Sequence, residues 1–150
     1  MSDLYELQLA WELGDTLPGE LLDELRWHLG LPHNQEQKQE PAPGDPAEKD
    51  PLLAGRGPAS RIGGTLGSEL ARGRRGWSLT TRQEVHAEML SGLHRLLKRL
   101  IAHTAATGPV GHIRFYEDDV PDLLVVHGGE ILRQPLRLAG SGYEPFDGLV

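Results

Sequence analysis

Tyr5-Glu6-Leu7-Gln8-Leu9-Ala10-Trp11-Glu12-Leu13 alternates large apolar side chains with polar or small ones at every step. Successive side chains of an extended strand point to opposite faces. Tyr5, Leu7, Leu9, Trp11 and Leu13 therefore share one face, and Glu6, Gln8, Ala10 and Glu12 share the other. This is the pattern of a half-buried strand: one face needs a core, the other carries carboxylates on a sheet surface.

The next stretch has helical spacing. Gly14-Asp15-Thr16 reads as a turn, with Asp15 or Thr16 placed to cap a helix and Pro18 tolerated in its first turn. Leu21, Leu22, Leu25 and Leu29 recur on one side, and Gly30 and Pro32 stop the run, which predicts a helix over about 17–29. Residues 32–60 are polar, proline-rich and without period. They carry too little apolar surface to offset the entropy of ordering, so a disordered loop is expected there, with Leu52-Leu53 docking its end.

Arg61–Ala71 and Trp77–Val85 read as a hairpin turning at Gly73-Arg74-Arg75-Gly76. Trp77, Leu79, Thr81, Gln83 and Val85 fall on one face; Ser78, Thr80, Arg82, Glu84 and His86 fall on the other. Thr81-Arg82-Gln83-Glu84 also fits a capping box, which would start the next helix several residues early. The preferred reading is strand to about Glu84 and helix from about Ala87. Val85, Met89, Leu93, Leu96, Leu97, Leu100 and Ile101 then form a helical stripe. Val110–Glu117 reads as a strand, and Leu123–His127 with Ile131–Leu138 as a hairpin across Gly128-Gly129. The tail beyond is expected to be loosely held.

Leu17–Leu25 echoes Val85–Leu93, with apolar, Glu, apolar, Leu and Leu at matching steps after a strand. Two strand-helix-strand halves give the order β-α-β-β-α-β. That order resembles the ferredoxin-like fold in layout alone. The expectation is a single α+β domain over 1–150: an antiparallel sheet with two helices on one face, plus a C-terminal β-hairpin.

Composition narrows the chemistry. The chain has no cysteine, which removes disulfides, thiolate metal sites and thiol nucleophiles. No secretory leader or membrane-length apolar run is apparent, so a cytoplasmic protein without membrane contact is expected. The net charge of −7 is uneven: residues 1–50 hold 3 basic and 12 acidic side chains, residues 51–100 hold 9 and 3. An acidic chain with a basic middle argues against a nucleic-acid partner and allows an anionic ligand or complementary charge within a dimer. Gly63–Ser68 lacks the lysine of a phosphate loop and reads as a glycine-softened edge strand; no Gly-x-Ser-x-Gly elbow occurs. The pairs His28/His33 and His94/His103 lack a ligand spacing and read as solvated histidines, and Glu117-Asp118-Asp119 reads as a solvated turn. No metal or cofactor is expected.

If both helices cover one sheet face, the other gathers Glu12 and Thr80 together with seven candidate site residues, Glu6, Gln8, Arg82, Glu84, His112, Arg114 and Tyr116. As a ligand site, His112 would exchange protons, Arg82 and Arg114 would grip a small anion, and Tyr116 would donate a hydrogen bond. As a structural face, it would meet a second copy, as such faces do in symmetric dimers. The dimeric binding module is the first expectation, and a cofactor-light enzyme acting on a small anion is the second. A third, weaker reading places nucleic acid on Arg72, Arg74 and Arg75.

Overall fold

The computed structural model describes residues 3–31, 50–136 and 145–146. Among these the chain forms β1 (Leu4–Gly14), α1 (Gly19–His28), β2 (Gly57–Pro58), β3 (Thr65–Gly73), β4 (Gly76–His86), a 3₁₀ turn (Ala87–Met89), α2 (Leu90–Ile101), β5 (Gly108–Phe115), β6 (Asp122–His127) and β7 (Glu130–Pro135). The result is a mixed α+β fold whose strands form one antiparallel sheet in the order β2-β3-β4-β1-β5-β6-β7. The ferredoxin-like expectation stops at this coarser level, because the strand order differs. The sheet continues past β3 through β2 and past β5 through β6 and β7.

β1 alternates as its sequence requires. Leu7, Leu9, Trp11 and Leu13 are buried and join one core with Leu21, Leu25 and Leu29 of α1 and its C-terminal end and Leu93, Leu96, Leu97 and Leu100 of α2. Both helices therefore cover the same sheet face. Directly opposite residues of a strand pair share a face, and Leu7 lies opposite Gln83 on β4 and Ile113 on β5. A slip of one residue would turn Leu7, Leu9 and Trp11 outward, so burial pins the register.

α1 begins at Gly19 and the second helical segment at Ala87, equivalent positions in the internal echo. Neither Asp15 nor Thr16 caps α1. The cap is Pro18, without a side-chain hydrogen bond, and the Thr16 hydroxyl instead donates to the His103 carbonyl. At the other end Gly30 adopts φ +68°, its N–H reaching Trp27 O and that of Leu31 reaching Arg26 O. These two bonds complete a Schellman stop that favours glycine. Residues 81–84 are strand, which removes the capping-box reading. Glu24, buried on α1, pairs with Arg99 of α2 and ties the two helices together.

Residues 32–49 and most of the tail lie outside the described residues. From Asp50 onward the expected loop is part of the structure. Leu52 and Leu53 are buried in the core, and the Leu53 N–H donates to the His28 carbonyl. His28, expected to be solvated, is fully buried, and its Nδ1 accepts the N–H of Leu52. Gln83 is buried on the helix-side face of β4. Its amide bonds both N–H and C=O of Gly55, at 2.8 and 3.1 Å, as a neighbouring strand would. Residues 50–56 thus supply a third piece of cover, beside the two helices.

One close approach constrains the centre. A Cβ on Gly111 would sit 2.0 Å from the Gln8 carbonyl oxygen, whereas a Cβ on Gly67 would meet nothing within 4 Å. Gly111→Ala is expected to lower stability by about 1–3 kcal/mol through overpacking, and Gly67→Ala to stay within about 0.5 kcal/mol of the wild type. Urea unfolding monitored by circular dichroism measures both.

Candidate functional site

The uncovered sheet face is built by the residues that alternate with the core. Glu6 of β1 stands opposite Glu84 on β4 and Arg114 on β5; Gln8 stands opposite Arg82 and His112. The register therefore brings together six of the seven residues singled out in the sequence. Tyr116 lies just beyond β5. Its hydroxyl donates to the Glu117 carboxylate, and its ring lies 5.7 Å from the Arg61 guanidinium.

Glu6 is the centre of this arrangement, and it is buried although no helix covers it. Its Oε2 accepts from Arg82 Nη2 at 2.7 Å and Nε at 3.1 Å, and its Oε1 accepts from Arg114 Nε at 3.1 Å. Burial alone would raise the Glu6 carboxyl. The hydrogen bonds and charges of the two arginines outweigh it and hold the group below the ordinary carboxylate range.

Both arginines engage most of their donors within the chain. Arg82 Nη1 also donates to the carbonyls of Gly63 at 2.7 Å and Thr65 at 3.1 Å. Arg114 Nη1 donates to the carbonyls of Tyr116 at 3.0 Å and Asp118 at 2.6 Å. Each guanidinium spans from the central carboxylate to a loop backbone, and its fork of donors suits both acceptors.

Glu84 performs the complementary task. Its carboxylate accepts the backbone N–H groups of Ser60 at 2.9 Å, Arg61 at 2.8 Å and Ile62 at 3.3 Å, together with the Ser60 hydroxyl. Burial again acts to raise this carboxyl, and the loop amides overcome it, leaving it below its ordinary range. Arg82 takes the loop's carbonyls while Glu84 takes its amides. The 59–64 loop is thereby fastened over one end of the face, and Gly63 and Gly64 supply the positive φ it needs. The sequence suggests these glycines only as softeners of an edge strand. Nothing local announces that Ser60–Ile62 would meet Glu84, because the two are joined only by the β3–β4 hairpin.

Beyond this network the face opens into a trough of 580 Å³, lined among others by Gln8, Ala10, Gly67, Glu69, Thr80 and His112. Gln8 and His112 face each other across adjacent strands. Neither side chain is hydrogen-bonded among the described residues, so their polar atoms are available. The sequence already places Ala10 and Thr80 on this face, whereas Gly67 and Glu69 are added by the structure; the small size of Ala10 and Gly67 makes the hollow. Towards the far edge Leu123 and Val125 of β6 and Leu132 of β7 continue the same face with apolar side chains. Among the described residues no group of three His, Asp or Glu is placed to hold a metal ion. No helix there is long and apolar enough to cross a membrane.

Glu6→Gln should leave two guanidiniums sharing a neutral amide and cost about 1.5–3 kcal/mol, the worth of hydrogen bonds to a charged group. Both lowered carboxyls bind protons more weakly folded than unfolded. Their contribution is complete above the unfolded value near 4.5 and is lost as pH falls through the folded values. Urea unfolding across an acid series should therefore show stability declining below about pH 4.5, with a shallower decline in Glu6→Gln.

No protein-family model, curated protein or solved structure matches this chain.

Proposed function

We propose that this protein is a homodimeric binding module whose uncovered sheet face meets the same face of a second copy. One observation carries the reading: the charges in the middle of that face are answered from within. Glu6 is shared by Arg82 and Arg114, and Glu84 is enclosed by loop amides. Covering the face would therefore strand no unpaired charge at its centre, the usual penalty for burying ions. What remains for a partner is mostly uncharged or apolar, namely Gln8, Ala10, Thr80, His112 and the Leu123–Val125–Leu132 strip, with Glu69 as a carboxylate beside the trough. A face-to-face contact of two copies is isologous and closes with two subunits. A ferredoxin-like relationship accompanies this reading. It is supported by β1 lying between β4 and β5 with β3 outside β4.

The alternative is a cofactor-light enzyme acting on a small anion, with His112 as acid and base. The imidazole facing the trough favours it. The engagement of Arg82 and Arg114 with Glu6 and loop carbonyls weighs against it, since most of their donors are already occupied.

Light scattering of the wild type should give about twice the chain mass of 16.5 kDa. Ala10→Arg places a long cation in the trough and should yield a folded monomer. A wild-type protein that stays monomeric at high micromolar concentration ends the dimer reading. A folded His112→Ala variant should keep its dimeric mass, whereas the enzyme reading expects it to lose turnover.

A further inference from the structure

The hairpin tip and the end of α1 carry a second feature, away from the trough. Trp77 is the second residue of β4 and pairs directly with Arg72 of β3. The Arg72 guanidinium lies 5.6 Å from the Trp77 ring centroid. Arg26, from the last turn of α1, lies 5.1 Å from the same centroid. Two cations from distant parts of the chain are thus held on one indole, which attracts each through its negative face. No more than the sum of those two distances separates them, comparable to the screening length of about 8–10 Å at ordinary ionic strength.

Among the described residues no carboxylate answers this pair. Arg26, Arg72 and Arg74 make no hydrogen bond or ion pair there. Arg75 has only a 3.8 Å contact with Glu12 between mostly exposed side chains. Asp15 and Asp23 do not pair with these arginines. This contrasts with the other face, where Arg82 and Arg114 are both paired with Glu6 and with loop carbonyls. A guanidinium held over an indole by its charge leaves its N–H groups available, and that fork matches the oxygens of a phosphate. Gly73 and Gly76 bracket the tip, so Arg74 and Arg75 stand on a two-residue turn next to the stack.

We propose that Arg26, Arg72 and Trp77, flanked by Arg74 and Arg75, form a binding site for a compact phosphate-bearing anion. A long polyanion fits less well. The chain carries a net charge of −7, and an extended strand would run from this patch into a repelling field.

Titration calorimetry with inorganic pyrophosphate at low salt tests the site on the full chain. Saturable binding is expected, weakening as sodium chloride is added. The Arg26→Gln/Arg72→Gln double variant should lose roughly tenfold or more in affinity, as removal of two charged hydrogen-bonding groups implies. Circular dichroism should show that this variant is folded, and Arg74→Gln/Arg75→Gln, confined to the turn, should weaken binding to a smaller extent. Absence of binding at millimolar pyrophosphate, or equal affinity in a folded Arg26/Arg72 double variant, overturns the proposal. Tighter binding of a short single-stranded oligonucleotide than of pyrophosphate overturns the compact ligand. Attachment to vesicles containing phosphatidic acid, without pyrophosphate binding, overturns the free phosphate as its source.

Discussion

A carboxylate lies at the middle of a sheet face that no helix covers, and it must be kept charged without bulk water around it. Glu6 solves this by lying between two guanidiniums that reach it from both neighbouring strands. Such an ion triad adds little net stability when both partners are compared with apolar replacements, because desolvation offsets attraction. Its larger effect is on specificity. Any slip of β1 against β4 or β5 would separate Glu6 from Arg82 or Arg114 and leave buried charge unanswered. The apolar face and the charged face therefore demand the same register.

The triad also organises its surroundings. Arg82 and Arg114 each direct their remaining donors to loop carbonyls, and Glu84 directs its oxygens to loop amides. The 59–64 loop and the turn after β5 are held down by side chains of the strands beneath them. On the opposite face, Gln83 does the same for Gly55, and His28 for Leu52. A chain with polar, glycine-rich connections thus acquires ordered edges without further secondary structure, since buried backbone groups must find partners. The consequence for function is that the most charged residues on the face are structural. The residues left for a partner are the milder Gln8, His112, Ala10 and Thr80, with Glu69 as the carboxylate among the residues of the trough.

Several of these features were visible in the bare residues. The alternation of β1, the stripe of α2, the hairpins at Gly73–Gly76 and Gly128-Gly129, and the burial of one face of β4 all follow from local spacing. So does the grouping of Glu6, Gln8, Arg82, Glu84, His112 and Arg114, because strand alternation and a simple antiparallel pairing suffice to collect them. The ordering of residues 50–60 was not visible. Composition there suggests a free loop docked only by Leu52-Leu53; the rest is held by pairing of Gly57–Pro58 with β3 and by His28, Gln83 and Glu84. Those partners are distant in sequence, and no local pattern encodes them.

Periodicity alone determines that this chain makes strands with one apolar face and two helices to cover it, because burial repeats every two residues in one case and every 3.6 in the other. Tertiary structure decides what each charge is for. Whether an arginine grips a ligand, neutralises Glu6 or stacks on Trp77 depends on which groups converge from remote segments. The energy of a charge is set by its surroundings in space, and neighbours in sequence are only a small part of them.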